Sequence, residues 1–120
     1  MTARPDPDLV LQAIAKAAGL TLYVERPANL RDATPCLVAT PGDGDHRPGA
    51  WQAPTWDVWS CHTTRKAARD QALALAEAIE HSWRSSRINT ITERGLPIPI
   101  QSDADGLWVW SIRTGFQVRH

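Results

Sequence analysis

The closing run "LWVWSIRTGFQVR" constrains the fold more than any other stretch of this chain. Successive side chains of extended backbone point to opposite faces. Its alternation therefore puts Trp108, Trp110, Ile112, Thr114, Phe116 and Val118 on one face. So long an apolar stripe has to be covered, which calls for a sheet with a packing layer. The opposite face changes character, from Leu107 and Val109 through Ser111 and Arg113 to Gln117 and Arg119. Just upstream, "GLPIPIQ" places Pro97 and Pro99 two apart, so both missing N–H groups fall on one side of an extended chain. Such a strand pairs on its other side only, which predicts a sheet edge. "SDADG" between the two runs has the Asp-Gly chemistry of a hairpin turn.

The covering layer is legible in "RKAARDQALALAEAIEHSW". Ala68, Ala72, Leu75, Ala76, Ile79 and Trp83 recur at three- and four-residue spacing, predicting a helix over 64–84. Its alanines allow close approach to a sheet at the N-terminal end, and Ile79 with Trp83 fills a wider gap at the other. A shorter helix begins with Asp6 as N-cap and Pro7 in the first helical position, runs through Val10, Ile14, Ala17 and Ala18, and stops at Gly19. "LTLYVER" then alternates as a strand, "PANLRDATP" reads as a turn, and "CLVAT" is a second strand. Residues 41–54, "PGDGDHRPGAWQAP", are too dense in Gly, Pro and Asp for helix or sheet and form a long surface loop. "TWDVWSCH" is the third strand, and "RINTITER" fits either a linker or a weak strand. The expected fold is a single α+β domain over 1–120. A mainly antiparallel sheet of about five strands carries two helices on one face, in the order α-β-β-β-α-β-β.

A chain of 120 residues can bury roughly two thirds of the surface its unfolded form exposes, so the core needs no staple. Lys and Arg total 13, as do Asp and Glu, which leaves no basic footprint. Neither a membrane nor sequence-specific nucleic acid is expected as a partner. No apolar run reaches bilayer length, and the Asp and Pro residues before Leu9 spoil a secretory apolar stretch. Cys36 and Cys61 alone predict thiols in a reducing cytoplasm, with one disulfide as the alternative. Six tryptophans, against one Tyr and one Phe, offer unusual aromatic area to a core or an interface. Arginine greatly outnumbers the two lysines, Lys16 and Lys66, which suits interface hydrogen bonds and stacking on Trp.

The stretch "PTWDVWSCH" sets Cys61 beside His62, as a nucleophile and base would stand. In a strand the two point to opposite faces, so they form no joint site without a bulge. A zinc site would have to recruit Cys36, His46 or His81, and no CxxC or HxxxH spacing is present. "GDGDH" and "DADG" lack the remaining ligands of a calcium loop and read as turns. Walker, GxGxxG, GxSxG and HExxH motifs are missing. The sequence therefore nominates no catalytic residue, metal or cofactor. A small hydrolase or nuclease would have to use His46, His62, Cys61 or the Asp43/Asp45 pair. A ligand-binding module would use Trp51 and its loop as the mouth.

Taken in order, "DPDLVLQAIAKAAG", "LTLYVER", "CLVAT", the Pro/Gly-rich loop, "TWDVWSCH", "RKAARDQALALAEAIEHSW" and "LPIPIQSDADGLWVWSIRTGFQVR" resemble the tail terminator (tail completion) proteins of long-tailed bacteriophages. The resemblance spans nearly the whole chain and lies in order and spacing, with no signature residue. It implies a non-enzymatic structural protein of the virion, made in the host bacterial cytoplasm. Copies would close into a hexameric ring at the head-proximal end of the tail, capping the tube and halting its polymerisation. The implied partners are the chain itself, the tail tube protein and a head-closure or neck protein. A head-closure or neck connector of the same virion is the nearest alternative. The candidate assembly surface comprises Trp51, Trp56, Trp59, His46, Arg47, Arg113 and Arg119. Trp56 and Trp59 lie on opposite strand faces. One is therefore expected under the long helix, and the other to need cover from the hairpin, a loop or a second subunit.

Overall fold

A computed structural model describes residues 6–42, 54–83, 88–100 and 107–118. The first helix, α1 (Pro7–Ala17), starts as its sequence requires: the Asp6 Oδ1 accepts from the Asp8 N–H at 3.0 Å. After it, Gly19 reverses the chain at φ +78°, a conformation that favours a residue without Cβ. The buried side of α1 is Pro7, Leu11, Ile14 and Ala15, whereas Ala17 and Ala18 are exposed. Both sets have helical spacing, and the sheet took the one carrying the bulkier Leu11.

Strand β1 is only Leu22–Tyr23, because the chain bends at Val24 and Glu25. It runs parallel to β2 (Cys36–Pro41). Parallel neighbours need a crossover of about a dozen residues, so 24–35 forms such a crossover instead of the turn expected for "PANLRDATP". The crossover contains a short helix, α2 (Leu30–Ala33), capped by the Asn29 side chain, and the bond between Thr34 and Pro35 is cis. Three further strands surround the long helix: β3 (Thr55–His62) before α3 (Arg65–Trp83), then β4 (Ile88–Arg94) and β5 (Ile98–Ile100). The chain closes on β6 (Trp108–Val118). The order is thus α-β-α-β-β-α-β-β-β, with "RINTITER" a strand rather than a linker.

The fold is α+β, one six-stranded sheet ordered β1-β2-β3-β6-β4, with β5 also paired to β6. Apart from β1 with β2, its pairings are antiparallel. The long closing strand β6 is the sheet's axis: β3 runs along one side of it, and β4 then β5 along the other. The register of β5, with Pro99 opposite Trp110, places the two-proline strand at an edge, as its missing donors demand.

The main core lies between the sheet and the pair α1 and α3. Leu11, Ile14, Ala72, Leu75 and Ile79 meet Leu37, Trp56, Val58, Ile112, Phe116 and Val118 there. Ala68 and Ala72 are fully buried, so α3 sits close to the strands at its N-terminal end. At that end Ser60 Oγ donates to the Ala68 carbonyl at 2.7 Å. The Gln71 Nε2 donates to Ser60 Oγ and to the carbonyls of Cys36 and Cys61. These bonds satisfy buried polar groups and tie α3 to β2 and β3 together. A smaller cluster occupies part of the other face: Leu30, Cys36, Val38, Cys61, Leu107 and Val109, with Tyr23, Ala33 and Ile100 packed against it. The third helix, α2, thus contributes Leu30 to the face opposite α1 and α3.

Candidate assembly surface

The sheet face away from α1 and α3 is built of three cross-strand rows. Cys36 pairs with Cys61, Cys61 with Val109, and Val109 with Ile100. That row lies within the small cluster described above. The middle row runs Val38, Trp59, Ser111, Ile98 across four strands. The third runs Thr40, Asp57, Arg113.

The middle row is where apolar surface is left open. Trp59 is 38 % exposed and Ile98 65 %, and Leu96 in the turn before β5 reaches 81 %. Strand alternation is the cause: Trp56, Val58 and Ser60 point under the helices, so Trp59 must point away from them. Trp59 also forms one wall of a groove of about 290 Å³ shared with Val24, Arg26, Val38, Thr40 and Pro41. The third row is polar and internally paired. The Arg113 guanidinium lies 3.3 Å from the Asp57 carboxylate and 3.7 Å from that of Glu93, with the Thr55 hydroxyl at 3.5 Å. An apolar strip bordered by half-exposed, mutually satisfied charges has the layout of an interface core and rim.

Of the residues proposed for assembly, Trp59 and Arg113 fall together on this face. Trp56 does not. It is 0 % exposed, its ring centroid stands 4.9 Å from that of Phe116, and its Nε1 donates to the Asp8 carboxylate at 2.8 Å. Trp56 is a core residue, and its side chain is closed off by its own helix layer. Trp51, His46, Arg47 and Arg119 lie outside the described residues, as do Asp43, Asp45 and most of the 41–54 loop. Leu96 and Ile98 were missed because exposure of an edge strand is set by what fails to cover it. The Pro97/Pro99 pattern was the signal that could have pointed to them.

The alternative chemistries are dispersed. Cys61 is buried on the face away from the long helix, while His62 is half-buried with its Nδ1 accepting from the Thr63 N–H at 2.8 Å. His81 is exposed on α3. Among the described residues no three His, Cys, Asp or Glu side chains are grouped as metal ligands. Cys36 and Cys61, in contrast, are directly opposed, free and fully buried. The hydrogen bond from the Cys61 thiol holds Cys36 below the ordinary thiol range. The same bond, with burial, pushes Cys61 well above it. Two of the arginines find an intramolecular use, since the guanidinium groups of Arg65 and Arg69 lie 5.7 and 6.0 Å from the Trp110 ring centroid.

No helix among the described residues is long and apolar enough to cross a membrane. Compared with models of known protein families and with curated proteins, the chain matches none.

Proposed function

We propose that this chain is a non-enzymatic structural subunit that assembles with copies of itself as the tail terminator of a long-tailed bacteriophage. In this reading a cyclic hexamer caps the tail tube, stops its polymerisation and presents the surface to which the head attaches through a head-closure or neck protein. The observation that carries the assembly step is the open apolar row of Trp59 and Ile98, continued by Leu96. The resemblance of the sequence, in the order and spacing of its segments, to the tail terminator proteins supports the choice of assembly. A ring needs a head-to-tail contact, in which this face meets a different surface on the next copy. An open groove of about 400 Å³ between α1 and α3, with Ile14, Ala17, Ala18, Ala74 and Ala78 as its apolar lining and Glu77, His81 and Ser82 as its polar lining, offers a different surface on the other side of the molecule.

Multi-angle light scattering and negative-stain imaging test the reading, followed by incubation of the protein with isolated tail tubes and free tube protein. A closed ring that blocks tube growth is the expected result. A monomer at high concentration that leaves tube growth unaffected refutes it. A ring that binds heads but lets tubes elongate reassigns the chain to head closure.

A further inference from the structure

Cys36 and Cys61 are the one directly opposed pair of nucleophilic side chains among the described residues, and nothing in the assembly reading uses them. The local hydrogen bonding fixes their geometry. The Leu37 N–H donates to the Thr21 carbonyl, so Leu37 faces β1. Donors alternate along a strand, hence Cys36 turns its own N–H and C=O toward β3, and its partner there is Cys61. Such a hydrogen-bonded antiparallel pair has its Cα atoms about 5.5 Å apart. That separation lies within the range a disulfide spans, and paired residues project from the same face. The Cβ atoms of such a pair start wider apart than the ~3.8 Å of a disulfide, so closing the bond draws the two strands together locally. Both thiols are free and fully buried within the same small apolar cluster.

We propose that Cys36 and Cys61 are a built oxidation site, where a peroxide or a low-molecular-weight disulfide converts the two thiols into a reversible cross-strand bond joining β2 to β3. Cys36, whose thiol is held below the ordinary range while that of Cys61 is pushed above it, is the attacking group. With peroxide, the Cys36 thiolate attacks one oxygen, the O–O bond breaks, and the departing hydroxide takes up a proton as water. The Cys61 sulfur then attacks the resulting sulfenic acid. An S–S bond forms, the S–O bond breaks, and the Cys61 proton leaves with the oxygen as a second water. Two thiols lose two electrons in all, and one peroxide gains them. With oxidised glutathione, two successive exchanges form the same bond and release two reduced glutathione molecules.

Access does not require global unfolding. Part of the cover over the pair is Leu30 and Ala33, from a helix of four residues. An element so short opens locally at far less cost than the sheet. Once formed, the bond stiffens the β2–β3 pair that carries Trp59, and a thiol reductant removes it. The proposal stands independently of the assembly reading.

The test uses the full chain without denaturant, incubated with hydrogen peroxide in one arm and oxidised glutathione in the other. Expected results are an intact mass lower by two hydrogens and a Cys36–Cys61 linked peptide on non-reducing digestion. The thermal midpoint should rise by on the order of 10 °C, reversed by dithiothreitol. Cys36→Ser and Cys61→Ser each leave the remaining cysteine unable to close the bond. Should either variant fail to fold, the mapped bond in the unaltered chain decides alone. Two results overturn the proposal. In one, native protein keeps both thiols under these oxidants while urea-unfolded protein forms the bond. In the other, native protein accumulates glutathione adducts, sulfinic acid or intermolecular links without the internal bond.

Discussion

The two tryptophans of β3 are three residues apart, and the structure places them on opposite faces of the sheet, one enclosed and one partly exposed, so replacing each separately by alanine should produce two different phenotypes. Trp56 is enclosed between α1 and the inner face of the sheet, against Phe116 and the Asp8 carboxylate. A tryptophan buries roughly 150–250 Å². At about 25 cal/mol per Å² that corresponds to about 4–6 kcal/mol for complete removal from the core. Alanine retains Cβ, and the site collapses in part, so Trp56→Ala should cost about 3–5 kcal/mol. Total stability for a domain of this kind is about 5–15 kcal/mol, so the loss is a large share of it. Trp56→Phe separates packing from polarity, because the ring contact persists while the bond to Asp8 goes. A hydrogen bond to a charged group is worth about 1.5–3 kcal/mol, and the phenylalanine variant should lose an amount in that range.

Trp59→Ala removes a ring that is 38 % exposed, so its monomer cost should be about 2–3 kcal/mol, clearly below that of Trp56→Ala. Self-association should weaken at least about 30-fold, the equivalent of 2 kcal/mol for a residue at the centre of an interface. Urea denaturation followed by circular dichroism, at a concentration where every variant is monomeric, measures the first quantity. Sedimentation velocity across a concentration series measures the second. The reasoning fails if Trp59→Ala destabilises the monomer as much as Trp56→Ala does, or if association survives its loss.

Other substitutions probe the supports of this arrangement. Ile98→Lys should leave urea stability within about 0.5 kcal/mol, since the side chain is mostly exposed, yet reduce assembly measured by light scattering. Gln71→Ala removes the amide that bonds Ser60 and two strand carbonyls, and urea titration should show a loss of about 1–3 kcal/mol. Gly95→Ala would set a methyl 2.6 Å from the Arg113 carbonyl oxygen, at the corner where β4 leaves β6. The backbone cannot yield cheaply there, so a cost of about 1–3 kcal/mol, read as a lower thermal midpoint, is expected.

Features governed by local chemistry were legible before any coordinates: the Asp6 cap, the Gly19 stop, the long helix and the alternation of β3 and β6. What was hidden depended on register. Ile88 and Ile91 are both buried although an odd spacing should put them on opposite faces. Register shifts between Ile88 and Thr90, and again between Ile91 and Glu93, bring this about, and they erase the period of two that marks a strand. The crossover through α2 was invisible for a related reason, since four residues are too few to show a helical period. Trp56 entered the list of interface candidates because alternation separates it from Trp59 without saying which face the helices cover. Cys36 and Cys61 could not be paired until the β2–β3 register was known, although strand reading already supplied both strands.

An exposed sheet face is not in itself a sign of a partner, because antiparallel sheets commonly present one side to water. Such faces normally read as alternating apolar-in and polar-out, and the row Thr40, Asp57, Arg113 obeys that rule with charges that satisfy one another. The adjacent row breaks it. Trp59 and Ile98 flank Ser111 at the same level of the sheet, and Leu96 extends their surface past the edge. Trp59 keeps more than a third of its surface open and Ile98 most of it, and an edge carrying apolar side chains invites uncontrolled pairing. Pro97 and Pro99 remove the edge donors that would permit such pairing while leaving the side chains free to be covered. The combination blocks strand addition at that edge and leaves the side chains as the contact available to anything that covers this face.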